Sequence, residues 1–274
     1  GGRGGRGHAG RRPVDGRGGR GLRAVRPRPQ LFRGAGKTQL GLTVAAHFCA
    51  SGLPVLFATA MDAPSALARR LRQLLCARFA GPPGVAERTS RSPELGPALD
   101  AALAHARVAS VPDFAAFARL ATACAAPGGK DAPPPRLLVV DGLAELLAPF
   151  ATAQGFSHRW RLGWSARALR RLASEAGVRV LLLAHAPSPR LGAGAAGAGP
   201  LGQGAWASAA SCRLELRADD ERGEHGGHAL VLRKSTRAAA GCSVPLVLGA
   251  AGVRAVDAGG PAPLGDLSGG EVDS

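Results

Sequence analysis

Apolar positions along the chain take two alternating forms: helix-spaced stripes and short continuous runs. Gln39–Ala50 (QLGLTVAAHFCA) is apolar over the length of a helix, Ser51-Gly52 breaks it, and Pro54–Thr59 reads as a short buried strand. Asp62 and Pro64 restart a helix over Ser65–Phe79, with Leu67, Leu71, Leu74 and Leu75 on one face and Arg69, Arg70 and Arg72 on the other. Residues 80–97 are rich in Pro, Gly and Ser and are predicted to form a mobile surface loop. Val108–Val111 has the makings of a strand, and Asp113 is well placed to cap a helix over Phe114–Ala126.

The clearest unit is Arg136–Asp141 (RLLVVD), an apolar run that ends in an acid. A polar, Trp-containing stretch follows, then a helix over Ser165–Ala176 closed by Gly177, then a second apolar run, Val178–Leu183. Apolar runs alternating with amphipathic helices imply βαβ crossovers and a parallel sheet buried on both faces, hence an α/β fold. Beyond a Gly/Ala-rich segment at 187–204 the pattern changes. Cys212–Arg217, His228–Arg233 and Val244–Leu248 read as short strands joined by turns, which predicts an antiparallel extension of the sheet.

Charge divides the 274 residues further. Of the +16 formal charge, +8 falls in residues 1–30, a Gly/Arg-rich arm with little to bury, which is expected to stay disordered. The last eighteen residues, 257–274, carry four acids and no base and are expected to form a loose tail, which leaves +12 on residues 31–256. That middle part is long enough for one ordinary α/β domain. No apolar run approaches the ~18 residues of a membrane span, so a soluble chain is expected. The five cysteines are an odd set with no C-x-x-C pair and no His at metal spacing, which argues against a disulfide framework or a zinc site. Each lies in an apolar stretch and is expected to serve packing.

Gly34-Ala35-Gly36-Lys37-Thr38 is the second half of G-x-x-x-x-G-K-S/T, directly before a helix. There, backbone N–H groups and the positive helix end can cradle phosphates. In that role Lys37 contacts the β- and γ-phosphates of ATP and Thr38 holds Mg²⁺, and Gln39 belongs with them to the nucleotide-binding set. Asp141, ending a Leu/Val strand about a hundred residues on, stands where a second metal-organising group belongs. The first Gly of the motif falls on Leu31, and Pro27 and Pro29 spoil the strand that should precede it. Two readings stay open: a degraded nucleotide loop, or residues 1–30 standing in for the first strand through an incorrect exon or start-site assignment.

These residues resemble the RecA/RadA recombinase superfamily, and within it the eukaryotic recombinase paralogues of homologous recombination. G-A-G-K-T-Q-L (34–40) is similar to the family's P-loop and R-L-L-V-V-D-G (136–142) to its Walker B strand. Residues 165–183 resemble the helix and strand leading to its phosphate sensor. P-L-G-Q-G-A-W-A-S-A-A-S-C-R-L-E-L (200–216) resembles the segment that follows, and R-K-S (233–235), G-C-S-V-P-L (241–246) and G-V-R (252–254) resemble the closing strands. The resemblance covers roughly 31–256 and implies a RecA-like P-loop NTPase core that binds ATP and Mg²⁺, contacts DNA, joins other paralogues in a heteromeric complex and works in the nucleus in DNA repair.

Carried over residue by residue, the family pattern leaves gaps. The family places a water-activating glutamate after the second strand, where this chain has Ala58-Thr59-Ala60-Met61; Asp62 is the first carboxylate and would have to act from a shifted position. Ala184-His185 replaces the family's Asn-Gln sensor, leaving His185 as a phosphate sensor or a strand cap. Weak or absent ATP hydrolysis with binding retained is the expectation. For DNA, the first candidate loop is residues 155–161, where Arg159 and Arg161 flank Trp160, a combination suited to phosphate contact and base stacking. The other reading is that Trp160 and Trp164, four apart, pack as a helical pair. The second candidate loop, 186–200, offers only Arg190. Two alternatives remain: a scaffold with a degenerate P-loop, and an unrelated P-loop enzyme such as a small-molecule kinase.

Overall fold

The computed structural model describes residues 36–81, 95–126, 134–151, 156–184, 205–219 and 227–256. Their elements run α1 (Lys37–Ala50), β1 (Val55–Thr59), α2 (Pro64–Ala80), α3 (Leu95–Ala104), β2 (Ala106–Ser110), α4 (Phe114–Ala125) and β3 (Leu137–Asp141). There follow α5 (Leu143–Ala151), α6 (Phe156–Ser174), β4 (Arg179–Leu183), α7 (Ala205–Ala209), β5 (Cys212–Asp219), β6 (Gly227–Ser235), β7 (Ser243–Gly249) and β8 (Gly252–Ala255). The Gly/Arg-rich arm and the acidic tail lie outside the described residues.

Strands β1 to β4 form a parallel sheet in the order β2-β1-β3-β4. Its logic is plainest at β3, whose first four residues are all buried. Because successive side chains in a strand point to opposite faces, Leu137 and Val139 enter one core with α1, α2 and α3. Leu138 and Val140 enter the other with α4, α5 and α6. Burying each contributes roughly 1.5–3 kcal/mol, so a strand with no polar face is what this position requires. Helix α1 lies close on the sheet because residue 41 is glycine: a Cβ there would fall 2.7 Å from Leu183 Cδ1 and 3.5 Å from Phe57 Cε2.

The α/β class, the parallel sheet and the antiparallel strands are present, but the antiparallel strands pair only with one another and form a sheet of their own instead of extending the parallel one. The second sheet is antiparallel, in the order β5-β6-β7-β8, with a bulge between Arg213 and Leu214. Its last strand docks on α1, where Thr43 Oγ1 accepts from Val253 N at 3.2 Å and donates to the Gln39 carbonyl at 2.8 Å.

Three stretches differ from the sequence reading. Residues 95–104 form α3, although Gly96 and Pro97 made its start look like loop; Pro97 falls in the first turn, where a helix loses no bond to it. The stretch after β3 is α5, and the Trp-containing residues are already helical from Phe156, so 156–161 is helix rather than loop. Cys212 and Cys242 are exposed instead of serving packing: Cys212 opens β5 and Cys242 directly precedes β7, both at the ends of antiparallel strands.

Candidate nucleotide site

The parallel register places Thr59 of β1 beside Asp141 of β3, and Asp141 beside Leu183 of β4. The carboxyl ends of these strands therefore share one edge, the side on which open α/β sheets receive ligands. Helix α1 starts at the same edge. Gly36 caps it in the left-handed region, φ 80° and ψ 14°, and a Cβ there would overlap the Leu248 side chain, so only glycine fits. The first i−4 bond of the helix runs from Leu40 N to the Gly36 carbonyl at 2.9 Å. First-turn amides have no carbonyl four residues back, and with the positive end of the helix dipole they form an anion cradle.

Thr38 Oγ1 donates to Asp141 Oδ2 at 2.6 Å, across 103 residues of chain. Two hard oxygen donors in contact at the end of a strand and the start of a helix fit a Mg²⁺ site completed by a nucleotide. Burial is the main influence that lifts the Asp141 carboxyl above its usual range, and the negative charges of Asp62 and Glu145 add to it. The Thr38 hydrogen bond and the Lys37 charge oppose that rise. Lys37, Asp62 and Glu145 thus all sit within electrostatic reach of Asp141. Among the described residues, no group of three or more His, Cys, Asp or Glu is placed to hold a metal unaided.

Asp62 is exposed on the turn after β1, its amide donating to Thr59 Oγ1 at 3.0 Å. Gln39 is buried, and its side chain faces away from the cradle: its Oε1 accepts from Arg70 Nε at 3.1 Å, and Arg70 also donates to the Gly249 carbonyl at 3.2 Å. Gly34, Ala35, His185 and Arg190 lie outside the described residues. Sequence reasoning missed Glu145 and the Arg70 link; a lone acid four residues after Asp141 was the available signal for the first.

Aromatic contacts reshape the DNA candidates. Arg161 stacks on Phe150 at 3.9 Å and lies 5.5 Å from the Phe114 centroid, so its cation is engaged inside the protein. Trp164 packs edge-on against Phe114 and Phe117 at 5.7 and 6.3 Å. Trp160 touches Phe114 at 6.4 Å yet remains 45 % exposed, beside the exposed Arg159. Lys234 lies on β6 opposite Arg213.

No family model and no curated protein matches the sequence. Solved structures do match in shape. The chain is similar to the crystal structure of the RadB recombinase, with a TM-score of 0.56 and 18 % identity over 81 % of this chain and 86 % of that one. It is also similar to a DnaB-like replicative helicase solved for its interactions with primase, with a TM-score of 0.54 and 18 % identity over 79 % of this chain and 53 % of that one. The fold is RecA-like.

Proposed function

We propose that this chain is an ATP-binding RecA-like subunit of homologous-recombination DNA repair, related to the eukaryotic recombinase paralogues and most similar in its motifs to the third X-ray-repair cross-complementing protein. The observation that carries the reading is the 2.6 Å contact between Thr38 and Asp141, which joins the two halves of a nucleotide site from distant parts of the chain. Thr38 and Asp141 hold Mg²⁺, Lys37 meets the terminal phosphates, and the first-turn amides of α1 cradle the triphosphate. Bound Mg²⁺ neutralises phosphate charge and orients the terminal phosphate. Hydrolysis is slow, since the turn after β1 lacks its glutamate. Arg159 and Trp160 offer a cation beside a half-exposed ring for single-stranded or branched DNA, and the +12 on residues 31–256 supports an affinity that falls with salt. Other paralogues complete the complex, in the nucleus.

Titration of the full chain with a fluorescent ATP analogue tests this. Saturable, Mg²⁺-dependent binding that is lost in Lys37→Ala and weakened at least tenfold in Asp141→Asn is the expected result. Equal signals from wild type and Lys37→Ala would instead support a scaffold that has lost its nucleotide.

A further inference from the structure

We propose that Glu145, on the first turn of α5, is the carboxylate that activates the hydrolytic water, in place of the glutamate missing after β1. The inference rests on the nucleotide-binding reading above. The chain leaves β1 through Ala60 and Met61, and Ala60 N donates to the Asp141 carbonyl at 2.9 Å, which fixes the exit of β1 against the end of β3. A Cβ built on Gly142 would stand 2.9 Å from the Ala60 Cβ and 3.5 Å from Glu145 Oε2. One point therefore borders both groups. The carboxylate from α5 and the methyl group at the exit of β1 can be no farther apart than the sum of those two distances.

The backbone that carries Glu145 is well packed: Leu146 N donates to the Gly142 carbonyl at 3.2 Å, and Leu143, Leu146 and Leu147 are buried at the end of β3. Glu145 Oε2 is out of contact with solvent. Asp62 shares the neighbourhood but projects from an exposed turn. A general base must be kept within about 2.6–3.2 Å of its water, which favours the half-buried carboxylate on a packed helix over the exposed one on a turn.

In the step, a water oxygen forms a bond to the terminal phosphorus while the bond from that phosphorus to the bridging oxygen breaks. The water's proton passes to the Glu145 carboxylate, and ADP and inorganic phosphate leave. The proton then returns to solvent.

Three measurements on the full chain test the assignment: binding of a fluorescent ATP analogue, single-turnover hydrolysis, and retention of fluorescent ADP with aluminium fluoride against beryllium fluoride. For Glu145→Gln, ATP binding and beryllium fluoride retention should stay within about twofold, while hydrolysis and aluminium fluoride retention fall by about a hundredfold. Asp62→Asn should leave all three within about twofold of wild type. Adding Ala60→Glu to Glu145→Gln should restore hydrolysis, a rescue that a folding defect would not show. A hundredfold loss in Asp62→Asn with none in Glu145→Gln overturns the assignment. So does wild-type protein that binds ATP and never hydrolyses it, a result that leaves the nucleotide-binding reading standing. Absence of nucleotide binding overturns both.

Discussion

The parallel sheet and the antiparallel sheet are built to opposite plans. Strand β3 sends every side chain from Leu137 to Val140 into one of two cores, whereas the antiparallel sheet leaves Leu214 49 %, Val244 46 % and Val247 44 % exposed. Charge follows the same division. On the antiparallel sheet Glu215 pairs with both Arg217 and Arg233 at the surface, and on the parallel sheet Asp141, at the end of β3, is part-buried against Thr38. The parallel sheet carries the fold and positions the site, and the antiparallel sheet braces α1 from its far side.

Thiol labelling sharpens the contrast most. Burial pushes the Cys49 thiol up to about 11 and raises that of Cys124, while Cys212 and Cys242 are exposed. In native protein at mildly alkaline pH, Ellman's reagent should modify the two antiparallel-sheet cysteines at least about a hundredfold faster than Cys49, whose reactive thiolate is scarce. Comparable rates would mean that the helical layer opens as readily as the outer sheet. Next in size is a pair of truncations followed by urea unfolding. Phe57→Ala should cost about 3–5 kcal/mol and Val247→Ala no more than about 0.5 kcal/mol. Equal losses would dissolve the distinction between the sheets.

The link between the two regions gives smaller effects. Arg70→Met removes the bonds to Gln39 and Gly249 and should cost about 1 kcal/mol, with faster amide exchange at Val253 as the local signature. Smallest of all is Glu215→Gln, where both ion pairs are solvent-facing. A loss below about 1 kcal/mol, fading in high salt, is expected.

Some of this could be read directly from the sequence. Strand β3 was legible because burial on two faces leaves an unbroken apolar run that ends abruptly in Asp141. The Thr38 and Asp141 pairing followed from motif chemistry alone. Helix α5 was not legible: LAELLAPFA is only nine residues long, carries Pro149 inside it and offers Glu145 as its one charged position. The start of α6 was hidden because Trp160 and Arg161 look like surface chemistry until Phe114 and Phe150, far apart in sequence, come together around them. Glu145 was missed for the same reason, since its relation to Ala60 exists only once β1 and β3 lie side by side.

The contact between Thr38 and Asp141 also sets an order of events during synthesis. A ribosome adding about 5–20 residues each second needs roughly 5–20 s to pass from one to the other. Through that interval Leu42, Ala45 and Ala46, which later bury against β1 and β3, have no sheet to cover them. The apolar stripe of α1 then waits for its cover, and the nucleotide site can assemble only when the sheet behind it does.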